Sequence, residues 1–441
     1  VLKMQLSGGE AFSQLRDKLD ATLLVDYDGK QIPLSAVRAL AYDGDADTRR
    51  RAYEAELASY KKIELPMSFC LNNLKAEGET MAALKGYKGV LDMALAHSRM
   101  DKKTLEAMWT AIREALPELR EYFKAKGRLL GHENGLPFYD LFAPVGQSTR
   151  TYTVDEARAL LLDLFGKFCP EMGEMMRTAF DEGWIDMYPR EGKSGGAFCS
   201  GYYAKNISRV MTNFAGSASD VSTLAHELGH AFNNRMLHHK PIMMTETPMP
   251  LAETASTFNE TLLISQLLKT ATPEEELTLL DSCLTEQTHT MVDIYSRFPF
   301  EQKVVAAQAD HALDVDELKE TMLWAQEQSY GDGLDPEYRH PYMWACKSHY
   351  YSTGVHFYNF PYAFGGLFAR GLYARYEKEG EAFVPVYCDL LSRFGSDTIA
   401  NVTASVGIDV TTPDFWREAV ESVLVQVRRF VELADQETAA K

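Results

Sequence analysis

Apolar residues recur at three- and four-residue spacing through most of the chain, and that period makes helix the dominant element. Residues 46–86 and 102–130 read as two long helical stretches. Each holds a proline, Pro66 or Pro117, that can kink or interrupt it. Thr153-Val-Asp-Glu and Thr272-Pro-Glu-Glu have the spacing of capping boxes, Thr412-Pro413 puts a proline in a first turn, and Asp314 precedes another amphipathic stretch. Leu224, Ala225, Leu228, Ala231 and Phe232 mark one more helix, which Ser219 or Asp220 can cap.

Two segments depart from this pattern. Val25-Asp-Tyr-Asp-Gly-Lys-Gln-Ile reads as a small hairpin around Asp28-Gly29. Ile207-Ser-Arg-Val-Met-Thr-Asn-Phe, bounded by Gly201 and Gly216 and preceded by Ser194-Gly-Gly-Ala-Phe, fits helix as well as strand. Breaks fall at 131–151 and 188–201. With no internal repeat, low-complexity segment or Ser/Gly-rich linker, a string of separate beads is not expected.

Composition narrows the class. A chain of 441 residues, 46% of them hydrophobic, can bury a large core arranged in two or three lobes. Its formal net charge of −18 argues against nucleic acid or an anionic membrane as partner, since the overall field repels both. No apolar run reaches the roughly 18 residues of a membrane span, and no basic stretch followed by an apolar one opens the chain, so neither a span nor a signal peptide is expected. Cys70, Cys169, Cys199, Cys283, Cys346 and Cys388 are scattered without a CxxC pair, the usage of reduced thiols in a cytoplasmic protein. Oligomeric state is left open.

The chemistry is concentrated in His226-Glu227-Leu228-Gly229-His230. Residues i and i+4 share a helix face, so two imidazoles there can grip one tetrahedral zinc at roughly 2.0–2.1 Å. Glu227, one residue on from His226, is poorly aimed to ligate and free to act as general base toward water. Catalytic zinc needs a third protein ligand. Glu253, in Pro250-Leu-Ala-Glu-Thr-Ala-Ser-Thr-Phe-Asn-Glu, is the best candidate, with Glu260 two turns further along the same helix as an acceptor for a ligand imidazole N–H. Glu246 is the rival, in a proline-broken run that reads as loop.

Thr223-Leu-Ala-His-Glu-Leu-Gly-His-Ala-Phe, Leu251-Ala-Glu-Thr-Ala-Ser-Thr-Phe-Asn-Glu and Lys347-Ser-His-Tyr-Tyr-Ser-Thr-Gly-Val-His-Phe-Tyr-Asn-Phe-Pro-Tyr-Ala-Phe-Gly together resemble the M3 family of zinc oligopeptidases, in its oligoendopeptidase F branch. The resemblance implies a mainly α, zincin-like fold, with helical lobes around a deep channel and a small β-sheet beside the zinc helix. It implies one Zn2+ per chain held by His226, His230 and Glu253, with Glu227 as base. His349, Tyr358 and Tyr362 match positions that bind substrate and stabilise the oxyanion, although Tyr350, Tyr351 and His356 crowd the same segment. It also makes Ile207–Phe214 the edge strand on which an extended peptide is laid. Residues 1–35 would be the end of an N-terminal domain, and 36–441 the catalytic domain with its active-site core at 190–370. Because the chain starts at Val1 and resembles the family only from the end of that domain onward, a longer natural polypeptide is expected. The implied function is zinc-dependent endopeptidase action on internal bonds of short unfolded peptides. Two alternatives stay open: a metallocarboxypeptidase of similar helical build, and a non-catalytic peptide-binding protein with structural zinc. The second fits less well, because structural sites usually close with cysteine and none lies near the motif.

Overall fold

The helix starts marked by the sequence lie where their side chains can satisfy the N–H groups a first turn leaves unpaired. In the computed structural model, which describes residues 1–146 and 150–440, Thr153 and Glu156 exchange hydrogen bonds as a capping box, as do Thr272 with Glu275 and Asp314 with Glu317. Pro413 opens the last helix. Among the longer helices are α1 (Ala46–Tyr60), α2 (Glu64–Leu84), α3 (Lys102–Leu129), α4 (Val154–Phe168), α5 (Ala218–Leu237), α6 (Thr254–Leu268), α7 (Pro273–Thr288), α8 (Ile294–Ala307), α9 (Val315–Tyr330), α10 (Phe360–Glu379) and α11 (Pro413–Ala440). The stretch 46–86 is thus two helices. Pro66 falls in the first turn of α2, where its missing N–H costs nothing, whereas α3 runs through Pro117 without a break.

The hairpin forms from β1 (Leu24–Tyr27) and β2 (Lys30–Pro33), with Asp28 and Gly29 at φ 49° and 73°, the left-handed pair that matches the twist of two strands joined by two residues. A second sheet holds β3 (Ile185–Asp186), β4 (Phe198–Tyr202) and β5 (Ile207–Met211) in the order β3-β5-β4. This corrects the expectation for Ile207–Phe214. Its strand is the central one, antiparallel to β4 and parallel to β3, and the outer strand of the hairpin is β4. Period alone could not show this, because Ser208, Val210 and Met211 are all buried and erase the alternation.

Apolar residues gather in two cores. The larger surrounds Trp109, Phe165, Leu228, Phe258, Phe364 and Trp416; the smaller joins Val25, Leu34 and Val37 to Leu71, Trp344 and Tyr350. Leu23, Val25 and Leu34 therefore share a core with residues far downstream. Between the cores lies a cavity of about 450 Å3, walled by Val37 and Ala52 from one side and Leu141 and Tyr330 from the other. All six cysteines are free thiols, and no helix among the described residues is long and apolar enough to cross a membrane.

One close backbone approach in the larger core is where α5 crosses the start of α6. A Cβ added at Gly229 would sit 2.6 Å from the Ala255 carbonyl oxygen and 2.7 Å from Ser256 Cα, both backbone atoms that cannot rotate away. Gly229→Ala should therefore lower unfolding stability by about 1–3 kcal/mol, read as a drop in denaturation midpoint at unchanged m-value. Gly166→Ala in α4, where an added Cβ meets nothing, should hold or raise stability. Equal effects at the two sites would remove the crossing as a constraint.

Candidate active site

Helix α5 begins at Ser217, whose hydroxyl accepts from the Asp220 N–H while the Asp220 carboxylate takes the Ser217 N–H. Asp220 so belongs to the cap, but the capping residue is Ser217 rather than Ser219. Two turns on, His226 and His230 point their Nε2 atoms at one spot, 3.2 Å apart. Glu253 completes the group from the junction between the short helix Met249–Ala252 and α6. Its Oε2 is 3.3 Å from His226 Nε2 and 3.2 Å from His230 Nε2. Ligands on a tetrahedral zinc at roughly 2.0–2.1 Å stand about 3.3–3.4 Å from one another. The near-equilateral triangle of two imidazole nitrogens and one carboxylate oxygen thus fits three corners around such an ion. It is the one such cluster found among the described residues. Glu246 is exposed and outside it.

The surroundings hold the triangle in place. Glu260 Oε1 lies 3.2 Å from His226 Nδ1, which orients that ring and leaves Nε2 to the ion. Ser256 Oγ donates to Glu253 Oε2 at 2.9 Å, and the buried Asn259 amide donates to the Ala225 carbonyl at 3.1 Å, tying α6 to α5. On the other side, a Cβ at Gly365 of α10 would lie 3.1 Å from the Pro250 carbonyl oxygen and 3.4 Å from Glu253 Cβ. Glu253 is therefore pressed between two helices that each present a glycine to its segment.

Electrostatics follow from the crowding of acids. Burial opposes a charge on His226, but hydrogen bonds to Glu253 and Glu260 outweigh it and push its pKa up to about 10. The two histidines hold Glu253 well below the usual carboxylate range despite its burial. Glu227 goes the other way. It is buried, its Oε2 has no partner, and desolvation raises its pKa.

His349 sits in the turn Ser348–Tyr351, stacked on Tyr358 with ring centroids 4.5 Å apart, and the Tyr362 hydroxyl is 3.4 Å from that of Tyr358. These three are partly exposed, whereas Tyr350, Tyr351 and His356 are 0%, 2% and 3% exposed and belong to the interior. Tyr362 lies one turn before Gly365 on α10, and the Glu253 charge contributes to raising its hydroxyl pKa, after burial and Tyr358. One assignment changes the chemistry. Asn359 Oδ1 accepts from Arg297 at 2.8 Å, and arginine has no acceptor, so the amide orientation is set. The same oxygen is 2.7 Å from His349 Nδ1, which must therefore carry a hydrogen. Burial and the Arg297 charge, outweighing the Asn359 hydrogen bond, keep the ring's pKa below the usual histidine value. With its Nδ1 hydrogen given to Asn359, the uncharged ring would present Nε2 as an acceptor, whereas the resemblance implies a role in binding substrate and stabilising the oxyanion.

Two supports have no signal in the sequence. Arg297 is itself held by the buried Asp293, which also accepts from the Tyr330 hydroxyl. Phe357, before Tyr358, has a left-handed φ of 51°. Its N–H donates to Glu301 Oε1 at 2.9 Å, and the fully buried Lys75 ammonium donates to the same oxygen at 2.6 Å. The Lys75–Glu301 pair spans 226 positions, so no local pattern could announce it.

Comparison with known proteins places this geometry in a family. The description "Peptidase family M3" matches residues 39–422. The Group B oligopeptidase PepB of Streptococcus agalactiae is 26% identical over 435 residues, covering 96% of this chain and 71% of that protein. Oligopeptidase PepF of Bacillus subtilis is 26% identical over 372 residues, covering 83% of this chain and 55% of its own length. The chain thus spans little more than half of the latter. The crystal structure of oligoendopeptidase-F from Enterococcus faecium superposes with a TM-score of 0.74 at 20% identity, over 97% of this chain and 72% of that one, a likeness of fold.

The raised pKa of His226 has a measurable consequence. With a folded value near 10 against about 6.5 for a free imidazole, the metal-free site keeps His226 protonated at pH 7, and an ion binding through Nε2 must displace that proton. Titration calorimetry of Zn2+ binding in buffers of different ionisation enthalpy should show net proton release of about one at pH 7, with affinity rising with pH. Binding without proton release would contradict the charge balance described above.

Proposed function

The chain belongs to peptidase family M3, and on that premise we propose that it is a zinc-dependent metalloendopeptidase cleaving internal bonds of short unfolded peptides. The observation that carries this reading is the triangle of His226 Nε2, His230 Nε2 and Glu253 Oε2 at 3.2–3.3 Å. These three residues would hold the ion. When bound there, zinc supplies Lewis acidity, polarising the scissile carbonyl and acidifying water.

Glu227 does the proton work. Its unpartnered, buried Oε2 accepts a proton from the attacking water, and its raised pKa lets it keep that proton long enough to pass it to the leaving amine. Tyr358 donates its hydroxyl to the carbonyl oxygen as that oxygen turns negative, and Tyr362 steadies Tyr358 from 3.4 Å. His349, with Nε2 as acceptor, holds a substrate N–H instead. The open edge of β4 offers backbone donors and acceptors to an extended peptide of any sequence.

Cleavage of an internally quenched peptide of about ten residues, blocked at both ends, tests the proposal. We expect internal cleavage that a chelator abolishes and Zn2+ restores; cleavage of only unblocked peptides would favour a carboxypeptidase. Glu227→Gln should bind one Zn2+ and lose roughly 10²–10⁴ in rate, and near-wild-type turnover would sink the mechanism. Tyr358→Phe should lower kcat by about 10²-fold with little change in KM, whereas an unchanged kcat would leave Tyr358 a packing residue.

A further inference from the structure

Tyr358 follows a segment with little structure of its own. Among the described residues, no backbone N–H from Ser352 to Tyr358 bonds to a backbone carbonyl, and those of Gly354 and Val355 turn back on the Ser352 hydroxyl at 3.3 Å. One side of the segment is open, because Gly354, Val355, His356, Phe357 and Tyr358 all line a cavity of about 170 Å3. The backbone that carries Tyr358 must therefore be held from the other side. Helix α2, which has no residue in the metal triangle, does so at two points.

The first is a notch. His356 is 3% exposed, and its ring lies against Gly78. A Cβ at Gly78 would stand 2.5 Å from His356 Nε2, 2.6 Å from Cε1 and 3.1 Å from Cδ2, so the three nearest atoms all belong to that ring. Glycine inside a helix costs stability relative to alanine, and Gly78 is an interior position of α2. Here that cost admits the imidazole. Neither ring nitrogen has a hydrogen-bond partner among the described residues, and burial together with the Lys75 charge pushes the ring's pKa down to about 3. His356 is thus a neutral ring seated by shape.

The second point lies one turn back on α2, where positions three apart share a face. The Lys75 ammonium donates to Glu301 Oε1 at 2.6 Å, and the same oxygen takes the Phe357 N–H at 2.9 Å. Phe357 has a φ of 51°, a conformation that a side chain of its size adopts only when its surroundings impose it. Two consecutive residues are therefore fixed by α2 and its ion-pair partner immediately before Tyr358.

We propose that Lys75 and Gly78 make α2 a positioning element for catalysis, seating His356 directly and Phe357 through Glu301, and so placing the Tyr358 hydroxyl for the substrate carbonyl oxygen. This rests on the peptidase reading and on the role given there to Tyr358. Lys75, Gly78 and Glu301 act through the turn and not on the substrate.

Gly78→Ala tests it, since the added methyl displaces the ring and removes nothing. With the doubly blocked quenched peptide, kcat should fall by about tenfold or more at little change in KM, with one Zn2+ still bound per chain. In the Tyr358→Phe enzyme, which has no hydroxyl to misplace, the same substitution should leave kcat within about twofold. Gly78→Ala combined with His356→Ala should be no slower than His356→Ala alone, because the methyl then meets no ring. An unchanged kcat in Gly78→Ala would overturn the inference. So would an equal fall with and without the Tyr358 hydroxyl, which is what a general loss of packing gives. If Gly78→Ala does not fold, His356→Ala, which removes atoms instead of adding them, takes its place in the same comparison, with the same two outcomes against the inference. Wild-type kcat in Tyr358→Phe would remove the role of Tyr358 and this inference with it, whereas a wild-type zinc enzyme that cuts no peptide would strike the peptidase reading itself.

Discussion

Everything at the metal triangle depends on how closely three chain segments can approach at Glu253. Two donors share one helix and keep their spacing by helical geometry, but the third comes from a separate segment whose position is set by packing. Gly229 lets the backbone of Ala255 and Ser256 lie where a side chain would otherwise stand, and Gly365 does the same for Pro250 and Glu253 from the opposite side. Asn259 then locks the crossing by bonding to the Ala225 carbonyl. A core packed to crystal density has no slack to restore the triangle once these backbones move apart. The glycine inside the HELGH motif is thus as much a part of the site as its histidines.

The opposite wall is held by charge rather than by close packing. Lys75 and Glu301 are buried together, and Glu301 spends its remaining capacity on the Phe357 N–H. Breaking such a pair leaves an uncompensated charge in a low dielectric, which costs far more than an exposed pair would contribute. The left-handed residue before Tyr358 is therefore anchored to helices α2 and α8. Asp293, Arg297 and Asn359 form a second chain of this kind, and its end decides which nitrogen of His349 carries the hydrogen. Both arrangements fix His349 and the Phe357–Tyr358 turn in place, at the cost of burying polar atoms.

Between these walls the two cores leave open space. Its lining holds two charged side chains without an ion pair among the described residues, Lys347 and Glu286, beside the matched Arg38, Glu56 and Asp293. A π-turn over His289–Asp293 forms part of this wall, a rare geometry found frequently at functional sites.

What the sequence determined by itself is what neighbours within a turn or two decide: the helical period, the capping boxes at Thr153, Thr272 and Asp314, the Asp28-Gly29 hairpin, and the i, i+4 pairing of His226 with His230. The grouping of Glu253 rather than Glu246 with the two histidines was also legible, through a rigid support against a loop, although Glu253 stands at a helix junction rather than within a helix. Only the tertiary structure decided that β4 and not β5 is the outer strand of the hairpin, that His349 Nδ1 meets Asn359, that Lys75 meets Glu301, and that Lys347 is left without a partner. These depend on contacts between residues tens to hundreds of positions apart. Their energies come from burial and desolvation, which no residue carries in its own identity and which exist only once the chain has closed around it.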